Sequence, residues 1–154
     1  MSVERVRAHL KKFGADGRIL NRSGATVELA AEALGCEPCR IAKTLSFSLG
    51  DKVILVVAAG DRKIDNAKYK AAFGGKARML PAEETAARTG HAVGGVCPFA
   101  VNEGVEVYLD QSLRRFPTVF PACGSPSTAI ELTIEELEAF SSPVGWVDVC
   151  KARD

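Results

Sequence analysis

The sequence predicts a mixed α/β fold built on a mixed β-sheet with surrounding helices. Three observations carry this. Helical and strand periodicities interleave along the chain; Ile41–Leu49 and Lys52–Ala59 read as strands joined by the tight turn Gly50-Asp51; and two late strand signals, Thr118–Ala122 and Thr128–Leu132, follow one another without a helix between them. A hairpin and adjacent late strands call for antiparallel pairing, whereas helices between strands favour parallel pairing, so the sheet is expected to contain both. The 154 residues fit one domain, 1–154, and a domain of that size buries roughly 70% of the surface its unfolded chain exposes.

The elements follow in order. Val3, Val6, Leu10 and Phe13 recur at helical spacing, and Gly14 ends that helix. Arg18–Asn21 is extended, Ser23-Gly24 a turn, and Thr26 the cap of a helix that buries Val27, Ala30, Ala31 and Leu34 and stops at Gly35. After the hairpin, Asp65 caps a helix closed by Gly74, Ala77–Leu80 is a short strand, and Pro81 opens a helix ended by Gly90. A glycine-rich loop spans His91–Gly104, and Val105–Leu109 alternates as a strand. Thr133-Ile134-Glu135-Glu136 is a capping box stapled by Leu132 and Leu137, and Val144–Val149 is a final strand.

Composition narrows the function classes. The chain is 47% hydrophobic and 25% charged, with a net charge of +1, so nothing in its overall charge argues for nucleic acid. Arg5, Arg7, Lys11, Lys12, Arg18 and Arg22 make the first 24 residues basic, and Glu131–Glu138 is acidic; a solvated helix face or a weak basic patch both fit. The longest apolar run, Val53–Ala59, has seven residues, against roughly 20 for a membrane span. The start of the sequence has no apolar signal core, and a cytoplasmic protein is the expectation. The five cysteines are an odd number and are not expected to form structural disulfides. Cys36-Glu37-Pro38-Cys39 lacks the second pair that a zinc site needs, and it precedes a strand, whereas a thioredoxin-like pair precedes a helix. No cofactor or metal is expected.

Lys43 stands out. On the strand Ile41–Leu49 the odd positions are Ile, Lys, Leu, Phe and Leu, so period-two geometry puts Lys43 on the apolar face. Two readings are open: a strand-end lysine that snorkels to water, and a lysine at a pocket rim facing a negative group. The second candidate is Gly94-Gly95-Val96-Cys97-Pro98, where adjacent glycines let backbone approach a ligand and leave N–H groups to donate. Cys97 is a possible nucleophile if His91 is near enough to act as its base, while His9 reads as a surface residue. Gly124 and Ser125 lie in a third small-residue turn, and Asp110 and Ser112 read as turn caps.

Taken in order, Thr26–Ala31, Lys43-Thr44-Leu45, Gly60-Asp61 with Ile64-Asp65, Thr89-Gly90-His91, Gly94–Phe99, Val107–Asp110 and Gly124 with Ile130-Glu131-Leu132 resemble the YbaK/ProX (YbaK/EbsC) family of freestanding aminoacyl-tRNA deacylases, related to the editing domain of some prolyl-tRNA synthetases. The resemblance spans nearly the whole chain and implies a central, partly closed mixed sheet. It implies hydrolysis of the ester joining a small, wrong amino acid to a tRNA, with prolyl tRNA as the acceptor. The family's lysine falls on Lys43, its glycine–proline loop on Gly94, Gly95, Val96, Cys97 and Pro98, and its second glycine loop on Gly124 and Ser125. The implied partners are the aminoacylated 3′ end of tRNA and an aminoacyl-tRNA synthetase, without a membrane. Two departures are visible. Leu20-Asn21-Arg22-Ser23 replaces an aromatic and acidic stretch, and Ala100 stands where a glycine often follows Pro-Phe.

The chemistry then expected is water attack on the ester, with backbone N–H groups from Gly95 to Cys97 on the oxyanion and Lys43 orienting the substrate. Two other readings stay open: a non-catalytic binder of aminoacyl-tRNA or a small ligand, and a thiol hydrolase that depends on Cys97.

Overall fold

The computed structural model describes residues 2–21 and 27–153. Helix α1 covers Ser2–Lys11, and strand β1 is Leu20–Asn21. Helix α2 (Val27–Leu34) leads into β2 (Ile41–Leu49) and β3 (Lys52–Ala59), with the limits the hairpin reading gave. Then come β4 (Arg62–Ile64), α3 (Asn66–Phe73), α4 (Ala82–Thr89), β5 (Glu106–Asp110) and β6 (Thr118–Pro121). The chain closes with β7 (Thr128–Ala129), β8 (Leu132–Thr133), α5 (Ile134–Ser141), β9 (Gly145–Val147) and β10 (Cys150–Ala152). The turn at Ser23-Gly24 and the Thr26 cap lie outside the described residues.

Six strands form the main sheet in the order β8-β6-β2-β3-β5-β9. It is mixed, as expected: β2–β3 and β6–β8 are antiparallel, while β2–β6, β3–β5 and β5–β9 are parallel. Two small antiparallel pairs, β1–β7 and β10–β4, flank it. Strand β3 is the spine, with every residue from Val53 to Ala59 buried. Its side chains alternate between two cores. Leu55, Val57 and Ala59 pack with Val6 and Leu10 of α1 and Leu137 and Phe140 of α5. Ile54, Val56 and Ala58 pack with Phe47, Tyr69 of α3, and Val149. At roughly 25 cal/mol per Å² of apolar surface, burial on this scale is the main force holding the sheet to its helices.

Local chemistry sets most boundaries. The Asp65 carboxylate accepts from the N–H groups of Ala67 (3.0 Å) and Lys68 (3.1 Å), and Gly74 ends α3 in the left-handed region. The capping box forms, with Glu136 N–H donating to Thr133 Oγ1 at 3.1 Å and Thr133 N–H to Glu136 Oε1 at 3.0 Å. Asp110 is buried and caps the turn after β5, accepting from Ser112 N–H and Val149 N–H at 2.9 Å each.

Four readings need correction. The single strand expected over Thr128–Leu132 is two, because Ala129 and Ile130 are both fully buried, which breaks the alternation and turns the chain from β1 to β6. Ala77–Leu80 is reduced to a bridge between Met79 and Phe47. The final strand ends at Val147, and β4 and β10, which no pattern signalled, pair beyond it. His9 is half-buried rather than a surface residue, with Nε2 2.6 Å from the Phe140 carbonyl.

The basic start and the acidic stretch meet. Arg18 pairs with Glu136 at 2.6 Å and Arg40 with Glu131 at 3.2 Å. Arg5 and Arg7 donate to the carbonyls of Ala100 (3.0 Å) and Asp16 (3.4 Å). The Arg18 hydrogen bond chiefly, helped by the cap, lowers Glu136 to about 2. Its unfolded value is near 4.5, so this stabilisation is full above that pH and is lost as pH falls toward 2. Glu136→Gln should therefore lower Tm at pH 7 and flatten the loss of Tm between about pH 5 and 2; an acid melting series checks this.

Gly60 ends β3 where no β-carbon fits. One would collide with the Pro38 carbonyl and lie 2.8 Å from Val27 Cγ1, whereas at Gly17 it would meet nothing within 4 Å. Gly60→Ala should cost about 1–3 kcal/mol of stability and Gly17→Ala less than about 0.5, measured by urea unfolding.

Candidate active site

Strand β6 accompanies β2 only through Ala42, which faces Pro121. The same edge of β2 is next met by residues 78–80: Ser48 N–H donates to the Arg78 carbonyl (2.8 Å) and Leu80 N–H to the Ser46 carbonyl (3.1 Å). Between these contacts the edge at Lys43–Leu45 has no neighbouring strand among the described residues. A cavity of about 360 Å³ opens there. Its walls include Lys43 and Thr44 of β2, Leu80, Thr85 of α4, and Gly94 and Val96 from the glycine loop.

Lys43 is half-buried on the face that carries Leu45 and Phe47, opposite Ala58 of β3. Its Nζ donates to the Arg62 carbonyl in β4. Burial first, then the positive charge of Arg153, lowers its pKa below that of an ordinary lysine. Thr44, on the opposite face, contributes a buried hydroxyl that has no hydrogen-bond partner among the described residues. A buried polar atom of this kind normally has a partner.

The two glycine loops touch. A β-carbon on Gly95 would lie 2.6 Å from the carbonyl carbon and oxygen of Gly124 and 2.7 Å from Ser125 Cα, so backbone packs directly on backbone. Gly124, at φ +96°, is itself pressed against Ser2, where a β-carbon would come within 2.9 Å. Gly95 spends its N–H on the Ala92 carbonyl at 2.9 Å, which removes it from the expected set of donors. The N–H groups of Val96 and Cys97 have no acceptor among the described residues.

The expected site residues separate into two layers. Lys43, Gly94 and Val96 line the cavity. Gly95, Cys97, Pro98 and Gly124 are buried, Ser125 is half-buried, and Gly124 and Ser125 border a neighbouring groove beside Ser2 and Arg5.

Cys97 is poorly suited to act as a nucleophile. It is fully buried, and burial pushes its thiol up to about 12. His91 is near it, with Nε2 3.6 Å from Sγ. That nitrogen lies 2.7 Å from the Phe99 carbonyl, which only accepts, so Nε2 carries the proton and is not a base for the thiol.

Thr44, Leu80 and Thr85 were missed in the sequence. Thr44 had a readable signal, its place beside Lys43 on the polar positions of β2, but where β6 stops is not written in local pattern. Cys36 and Cys39 are half-buried free thiols away from this cavity.

The aminoacyl-tRNA editing domain family matches residues 21–140, and the chain belongs to that family. It is 54% identical to the uncharacterised protein YwhH of Bacillus subtilis strain 168 over 98% of both chains. It is 33% identical to the proline–tRNA ligase of Shouchella clausii strain KSM-K16 over 104 residues, which are 67% of this chain and 18% of the ligase. Among solved structures it is similar to a candidate trans-editing enzyme for prolyl-tRNA synthetase, with TM-score 0.88 and 30% identity over 98% of each chain. It is also similar to the hypothetical protein APE2540, with TM-score 0.79 and 26% identity over 93% of this chain and 99% of the other. The expected family and mixed sheet are both met.

Ala100, the departure from the family pattern, has φ +51°. This is the left-handed region that glycine enters without strain. Ala100→Gly should stabilise the fold by about 0.5–1 kcal/mol, read as a higher urea midpoint at unchanged m-value.

Proposed function

We propose that this chain hydrolyses the ester of a tRNA mischarged with a small amino acid, with prolyl tRNA as the favoured acceptor. Membership of the editing-domain family supports editing as the process. The observation that carries the reading further is that Lys43, Thr44, Gly94 and Val96 line one cavity, and that the Val96 N–H has no acceptor among the described residues.

The chemistry runs as follows. Water adds to the ester carbonyl, and negative charge gathers on its oxygen. The N–H of Val96 is the donor for that charge, and such a donor is worth about 3–4 kcal/mol in the transition state. Lys43 brings a cation to the cavity wall and orients the terminal nucleotide, whose 3′ oxygen leaves with the proton. Thr44 helps to shape the cavity wall against the aminoacyl group. Cys97 takes no part through its sulfur.

The cavity, about 360 Å³, is at the small end for ligand pockets. That size favours alanyl, cysteinyl or seryl groups and excludes larger ones sterically. One methylene is worth about 1–3 kcal/mol of discrimination. The tRNA end is held through its 2′-hydroxyl and by base stacking. With a net charge of +1, its grip on the phosphate backbone is modest.

A deacylation panel tests this: alanyl, cysteinyl, seryl and threonyl esters on prolyl and other tRNAs. Lys43→Ala should lower kcat/KM on the preferred substrate by about 100-fold, and Cys97→Ala by less than about fivefold. Full activity of Lys43→Ala would remove its role. Loss with Cys97→Ala alone would point to thiol chemistry. Binding without turnover by the wild type would mark a binding protein.

A further inference from the structure

One buried, titratable side chain joins both loops of the site and has no part in the chemistry above. His91 is fully buried. Its Nε2–H donates to the Phe99 carbonyl at 2.7 Å, which leaves Nδ1 as the acceptor for the Ser2 hydroxyl. Its own N–H donates to Thr89 Oγ1 at 3.1 Å, and that hydroxyl lies 2.7 Å from the Thr85 carbonyl in α4. Ser2 presses on Gly124, and Gly124 on Gly95. The contacts form a closed ring: His91, Ser2, Gly124, Gly95, then along the loop to Phe99 and back to the imidazole. Val96, Cys97 and Pro98 span the arc between the anchors at Gly95 and Phe99.

We propose that His91 is a positioning residue that, as the neutral Nε2–H tautomer, holds the Val96 N–H in place for the oxyanion, and that protonating it disables the site. The activity part of this rests on the deacylase reading; the tautomer and the ring do not. A second proton has only Nδ1 to occupy. It turns that acceptor into a donor, so the Ser2 hydroxyl must rotate to accept, and it seals a cation in the protein.

The groups around His91 make that cation unwelcome. Arg5 of α1 repels it, the Cys97 thiol is un-ionised, and α4 presents the hydroxyls of Thr85 and Thr89. His9 of α1, a second imidazole, packs against the Phe99 ring at 6.2 Å. Burial chiefly, with Arg5, lowers the His91 pKa below 6.5, against the pull of the Phe99 carbonyl. A histidine whose folded value is lowered gives stability that is full above its unfolded value, about 6.5, and is lost as pH falls toward the folded value.

The test compares wild type, His91→Gln and His91→Ala in kcat and KM for deacylation from about pH 7.5 to 4.5. Glutamine can return an N–H to the Phe99 carbonyl and does not titrate. At pH 7.5, His91→Gln should keep kcat within about threefold, and His91→Ala, confirmed folded by circular dichroism, should lose about 10²-fold in kcat with KM little changed. On acidification the wild type should lose kcat relative to His91→Gln, with a midpoint below that of free histidine. Wild-type kcat in His91→Ala, or a wild-type to His91→Gln ratio that stays constant with pH, would overturn the proposal.

A second measurement needs no substrate: 15N NMR of the imidazole should report a neutral, Nε2-protonated ring that titrates below free histidine. An Nδ1-protonated ring, or titration at or above the free value, overturns the proposal. If the wild type turns over no mischarged tRNA, the deacylase reading fails and the NMR result still decides the state of His91.

Discussion

Strand β3 is buried on both faces from Val53 to Ala59, and most of the architecture answers to that constraint. A strand hidden from water must pair its N–H and C=O groups on both sides. The hairpin supplies β2 on one side, and β5 comes in parallel on the other. Its alternating side chains need two separate covers, α1 with α5 on one face and the Tyr69 helix on the other. Glycine at the exit of β3 lets the Pro38 turn pack against it. The placement of β2, and of the lysine on it, follows.

The candidate site lies where this pairing is incomplete. The edge of β2 is covered by β6 at its start and by the Met79 segment at its end, and the uncovered stretch between them is the cavity wall. The wall opposite rests on contact of backbone on backbone between two glycine turns, next to Val96. Rigidity of this sort suits a site whose chemistry depends on donors already aimed at a developing charge.

Legibility tracked the range of the forces involved. The hairpin, the Asp65 cap, the Thr133 capping box and the Gly74 and Gly90 stops were readable, because each is decided within a few residues. The same held for Lys43, whose neighbours at odd positions placed it on the apolar face. What stayed hidden depends on partners distant in sequence. β4 and β10 are three residues each and exist through one another. The split of Thr128–Leu132 follows from a change of partner strand. Cys97 looked like a nucleophile from its place in the loop, and only the packing shows it sealed, with the proton of His91 committed to Phe99. Thr44 joined the site because β6 ends at Pro121.

Ser2 is the first residue of α1, yet it lies beneath both loops, bonded to the His91 ring and pressed against Gly124. Anything joined ahead of it must leave the fold from directly behind the site. An affinity tag or fusion partner placed there is a structural intervention, and so is one placed after Ala152, because Ala152 pairs with Arg62, whose carbonyl holds Lys43 Nζ. Both ends of the described chain thus bear on the candidate site, one through the Ser2 hydroxyl and the other through the Arg62 carbonyl.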